Sequence, residues 1–110
     1  MATKLRSGLF SGKIEGNAIA EEGVNCELTG MVTGNLEVKD KAFVNMSGMI
    51  CKNLQVSDSA KVVVRGMVSQ SVIADGGIVE IYGMVGGDVI RKNGRVTIDK
   101  TAKVSGTVSI

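Results

Sequence analysis

The sequence contains no histidine, no proline and no tryptophan. Without histidine it lacks the commonest general base, the triads built on one, and the ligand of most zinc sites. Without proline it has no Pro-rich linker or tail. Aromatic residues are limited to Phe10, Phe43 and Tyr82 although 44% of the chain is apolar, so Val, Ile, Leu, Met and Ala must fill any core. Cys26 and Cys51 form no CxxC pair, and both are read as reduced thiols of a cytosolic chain. A formal net charge of +2 is too weak a footprint for nucleic acid. No run approaches transmembrane length, and the first ten residues hold no signal-peptide core. There is no Walker loop and no GxGxxG.

What the sequence does contain is repetition. Every sixth residue from Ile14 is aliphatic or small and apolar: Ala20, Cys26, Val32, Val38, Val44, Ile50, Val56, Val62 and Val68. Every eighteenth residue returns a phrase, as in Gly30-Met31-Val32, Gly48-Met49-Ile50 and Gly66-Met67-Val68, with Gly12-Lys13-Ile14 upstream. Three six-residue faces per coil, each sending one aliphatic side chain to a common axis, make an all-β, single-stranded, three-faced parallel β-helix, or β-solenoid. The 15 glycines suit its repeated corners. Residues 1–11 read as an N-terminal lead-in or cap, with contact to a membrane surface as the second reading of Lys4, Arg6, Leu9 and Phe10. Residues 12–110 read as the solenoid domain.

The coils are expected to open at Gly12, Gly30, Gly48, Gly66 and Gly83. The fourth is one residue short, with its defect near Asp75, Gly76 and Gly77. The fifth would reach Gly106 only after 23 residues. Arg91 to Gly94 is its expected bulge, and the six-residue phase then resumes at Ile98, Val104 and Ile110. Within a coil the spacing of two is that of a strand. It turns Val38, Val56 and Val62 to the axis and Ser57 outward. Asn17, Asn35 and Asn53 recur at one corner, where stacked amides can bond between coils.

The same alternation turns Met31, Met49, Met67 and Met84 outward, as a flexible apolar stripe suited to a partner or a lateral contact. Between Gly12 and Thr29 the carboxylates Glu15, Glu21, Glu22 and Glu27 oppose only Lys13. Between Gly83 and Ser105 the cations Arg91, Lys92, Arg95, Lys100 and Lys103 outnumber Asp88 and Asp99. One terminal coil would then be acidic and the other basic, an arrangement that steers head-to-tail contact.

The segments Gly30-Met-Val-Thr-Gly34-Asn-Leu-Glu-Val38, Asp58-Ser-Ala60-Lys-Val62 and Gly83-Met-Val-Gly-Gly-Asp-Val89 resemble the bactofilins, over about residues 12–110. The resemblance implies a right-handed β-helix that polymerises end to end into cytoskeletal filaments without polarity. It implies a bacterial scaffold for partner proteins, at the inner face of the cell membrane. Left-handed hexapeptide acyltransferases also have 18-residue coils. They favour a small residue after the main aliphatic, where this chain has Thr33, Lys39, Asn45, Cys51, Ser57 and Val63, and they need a catalytic histidine.

No cluster of side chains here calls for catalysis, a cofactor or a metal. Glu21 and Glu22 read as a solvated corner rather than a cation site. Cys51 beside Lys52 reads as a surface thiol. The expected function is that of a bactofilin-like, non-enzymatic structural protein that self-associates and scaffolds partners. The alternative is a discrete protein-binding module on the same fold, such as an adaptor or an immunity-type inhibitor.

Overall fold

The computed structural model describes residues 3–109, so Met1, Ala2 and the expected final beat at Ile110 lie outside it. It is all β, and every strand pair is parallel. Three walls rise side by side. The first stacks Lys13–Ile14, Met31–Val32, Met49–Ile50, Met67–Val68, Met84–Val85 and Lys103–Val104. The second stacks Thr3–Leu5, Ala18–Ala20, Leu36–Val38 and Leu54–Val56, then the leading parts of Val72–Ile81 and Val89–Ile98, then Val108–Ser109. The third stacks Gly8–Phe10, Asn25–Leu28, Phe43–Met46 and Lys61–Val64 with the trailing parts of the same two long strands. The second wall has seven levels. Six gaps of roughly 4.8 Å give about 29 Å, matching the 30 Å long axis.

Side-chain alternation builds the core. Val32, Val38, Val44, Ile50, Val56, Val62 and Val68 are fully buried, together with Leu36, Leu54 and Met46. No polar or charged residue among those described is buried. Phe10 alone of the three aromatic residues packs against this column, and Phe43 and Tyr82 stand outside it. The coil-opening glycines are set by close approach. A Cβ on Gly30, Gly48, Gly66 or Gly83 would overlap the carbonyl oxygen of the glycine one level earlier. The same oxygens accept the amides of Met31, Met49, Met67 and Met84 at 3.0 Å.

The corner between the second and third walls is a tight turn in three coils. The amides of Val24, Ala42 and Ala60 donate to the oxygens of Glu21, Lys39 and Ser57 at 3.1–3.2 Å. It needs a left-handed residue, which is Gly23, Lys41 (φ 60°) and Ser59 (φ 61°) in turn. In the fourth coil this turn disappears, and Val72–Ile81 runs through the corner as one bent strand. The pairing of Leu54 with Val72 and of Lys61 with Ile78 puts the missing residue between Ala74 and Ile78, where the sequence shows its defect.

Two boundaries differ from those expected. Residues 3–10 do not merely lead in. They pair with the strands of the following coil, so the stack starts before residue 12. The fifth coil is also shorter than the sequence implies. Its strand Val89–Ile98 follows Val72–Ile81, and the bulge at Lys92 is offset by an irregularity between Asp75 and Ile78. The two extra residues lie in the turn Asp99 to Ala102, closed by a bond of 2.9 Å from the Ala102 amide to the Asp99 oxygen. Met84 pairs with Lys103, so Ala102 takes the coil-opening place and Gly106 stacks on Gly87. Val96 and not Ile98 continues the column of Val62 and Val79, and Ile98 stacks on Ile81. Gly106 misleads because its own position also excludes a Cβ, against the Gly87 backbone and the Asp88 side chain. Two different corners ask for glycine.

Candidate functional site

The first wall presents the methionine stripe. Met31, Met49, Met67 and Met84 face one another in register, with Lys13 before them and Lys103 after. Met31, Met49 and Met67 are half-buried, and Met84 is 48% exposed.

The asparagine corner is spent on structure. The amides of Asn35, Asn53 and Ser71 donate to the side-chain oxygens of Asn17, Asn35 and Asn53 at 2.8–2.9 Å. Ser71 and Asp88 continue the ladder to Asp88 and Thr107. A shallow hollow runs beside it, lined by Asn35, Asn53, Glu37 and Gln55. Glu21, Glu22, Lys39 and Asp40 share an open corner. No cluster of three or more metal-ligating side chains occurs among the described residues. Both cysteines are free thiols. Burial, and then the charge of Glu27, push the Cys26 thiol up, while Cys51 is half-buried at a corner.

The sequence reading missed the outer face of the third wall. Its rows align Phe43 with Lys61 across an 18-residue coil, then Lys61 with Ile78 and Val63 with Glu80 across the 17-residue one. The Lys61 ammonium lies 5.8 Å from the Phe43 ring, and the Arg65 guanidinium 5.0 Å from the Tyr82 ring. Lys61 pairs with Glu80 at 3.6 Å, and the Tyr82 hydroxyl donates to Glu80 at 3.0 Å. That bond to a carboxylate holds the Tyr82 hydroxyl above its ordinary pKa.

The two ends are the most unequal surfaces. At the N-terminal end Leu5 and Ile14 are only 3% and 5% exposed, and Phe10 packs against the core beside them. At the C-terminal end Val96, Ile98, Ala102 and Val104 are only half-buried, and Val108 is 42% exposed. Arg95 to Ile98 have a strand partner on one side only among the described residues.

The expected opposition of charge between the ends does not survive this geometry. Glu21, Glu22 and Glu27 sit one coil inward, because residues 3–10 stack beyond them, whereas Glu15 follows the outermost strand of the first wall. Lys4 pairs with Glu21 at 3.4 Å and Lys13 with Glu15 at 3.8 Å. The outermost residues 3–17 carry Lys4, Arg6 and Lys13 against Glu15 alone. The opposite end carries Arg91, Lys92, Arg95, Lys100 and Lys103 against Asp99 alone in residues 91–109, and all five cations are exposed. Both ends are basic. No protein-family model, curated protein or solved structure matches this chain.

Proposed function

We propose that this chain is a non-enzymatic scaffold that works through the ends of its solenoid. One observation carries the reading. Among the described residues the C-terminal end leaves core aliphatics half-buried and the edge Arg95–Ile98 paired on one side only, and such an edge is a template for further pairing. Self-association through that edge is the form in which a bactofilin-like protein would use it. The exposed edges Thr3–Leu5 and Gly8–Phe10 at the other end would let growth continue.

A discrete binding protein is the second reading, and the charges favour it. With cations at both ends, head-to-tail and like-end contacts between copies both bring cations together. Light scattering and negative-stain microscopy across a salt series separate the readings. Filaments that lengthen as salt screens the ends support self-assembly. A monomer at every salt concentration removes it and leaves the discrete binder.

A further inference from the structure

The C-terminal end carries five exposed cations against one carboxylate in residues 91–109. Arg91 shares the register of Ala74, which is buried above Val56 and Val38, yet Arg91 itself is exposed. Its guanidinium donates to the Gly94 oxygen at 3.1 Å and fixes the bend there. Arg91, Gly94, Arg95 and Val96 line a hollow of about 290 Å³ at the bend. Directly beyond it the edge Arg95–Ile98 alternates an exposed Arg95 and Thr97 with the half-buried Val96 and Ile98. Among the described residues the nearby carboxylates are few: Glu80, beside Thr97, is held by Lys61 and Tyr82, Asp99 is engaged by Thr101, and Asp75 stands beside Asn93 one level down.

A strand added to this edge would be read at two levels. Its backbone would pair with the free edge, and its apolar side chains would cover Val96 and Ile98. Its other side chains would meet Arg95, and the residues leading into it would meet Arg91 and Lys92. A second copy would bring the uncharged strand Gly8–Phe10 preceded by Arg6, so it supplies no carboxylate to these cations. We infer that the end receives an extended, acidic segment of a partner protein, added as a parallel strand beside Arg95 to Ile98. Its carboxylates precede its apolar residues. The inference rests on the reading of the ends as the working surfaces, and an occupied end would also stop growth of a polymer there.

The probe is a labelled peptide of three glutamates followed by valine, threonine and isoleucine, titrated into the full chain and followed by fluorescence anisotropy. Saturable binding is expected at low ionic strength, weakening as added salt shortens the Debye length to ~8 Å at 0.15 M. The double variant Arg91→Glu with Arg95→Glu should bind at least about tenfold more weakly, on the scale of lost charge pairs. A matching peptide with three lysines should bind that variant and not the natural chain. Circular dichroism confirms folding, and Lys92→Glu at the bulge is the substitute if the double variant does not fold. Hexaglutamate binding as tightly as the probe would show charge attraction without strand addition, and would overturn the inference. So would equal binding by the natural chain and the charge-reversed variant, or no binding to the natural chain. Light scattering without peptide, in the same buffer, tests self-assembly separately. A chain that assembles but ignores the peptide loses this inference and keeps the scaffold reading. A chain that binds the peptide and never assembles keeps the inference and loses the filament.

Discussion

A methyl group on Gly48 would fall on the carbonyl oxygen of Gly30, one coil earlier in the stack. That oxygen also accepts the Met49 amide at 3.0 Å, so neither backbone can withdraw without breaking the ladder. Gly23 differs, with φ at 78° and nothing within 4 Å of where its Cβ would be. Gly23→Ala should therefore cost only the left-handed conformation, about 1 kcal/mol. Gly48→Ala should reach or exceed the ~3 kcal/mol of severe overpacking. Urea denaturation of the two variants checks the order, and equal losses would refute the stacking argument.

Val56 and Ser57 test the register of the core. Val56 is fully buried, and the neighbouring Ser57 is half-buried at the start of a turn. Val56→Asp puts a carboxylate in the aliphatic column, at a cost of about 3 kcal/mol or more. Ser57→Asp should melt within about 1 kcal/mol of the natural chain. Thermal melts followed by circular dichroism compare them.

The asparagine ladder predicts a difference between two substitutions at one site. Asn35 accepts the Asn53 amide at 2.9 Å, and Asp88 does the same for Thr107 at 2.8 Å further along. Asn35→Asp keeps an acceptor and should be mild. Asn35→Leu strands a part-buried amide, at about 1–3 kcal/mol. Hydrogen exchange at the Asn53 amide should accelerate in the leucine variant only.

Cys26 should make the fold sensitive to alkali. Its thiol is raised above the ordinary 9.0 by burial, then by Glu27. The folded state therefore favours the protonated thiol. This contribution is fully present below the unfolded pKa and is lost as pH rises through the higher folded one. The urea midpoint should fall above about pH 9 in the natural chain, and Cys26→Ala should flatten that slope even if it lowers stability overall. Identical slopes would mean that the thiol does not titrate with unfolding.

The methionine stripe gives a prediction about association rather than folding. Met49→Gln with Met67→Gln replaces two half-buried outward side chains, so stability should change by about 1 kcal/mol or less. Any lateral or partner contact through the stripe should weaken in sedimentation equilibrium. Unchanged association would remove the stripe as a contact.

The sequence made the stack legible because burial and repeat share one period. Val38, Val56 and Val62 must alternate with outward residues, and any other register would bury Lys39 or Ser57. The ends were not legible for the same reason. Residues 3–10 carry no glycine phrase, and only pairing of Leu5 with Ala20 and of Phe10 with Leu28 shows that they form strands. That partial coil stacks beyond the level of Glu21 and Glu22, which stay exposed, and puts Lys4 and Arg6 at the N-terminal tip instead. Arg65 and Tyr82 are 17 residues apart across the short coil, so counting by eighteens does not bring them together.

The near-identity of successive corners makes each coil a removable module. Without residues 48–65, Gly66 would rest on Gly30, Met67 on Met31 and Ser71 on Asn35. Even the tight contact of Gly76 with Asp58 would be remade with Asp40, because Asp40 and Asp58 hold equivalent places. Length in this architecture is then adjustable in steps of ~4.8 Å, independent of what either end recognises. A gene that gained or lost one such segment would produce a longer or shorter ruler with the same two tips.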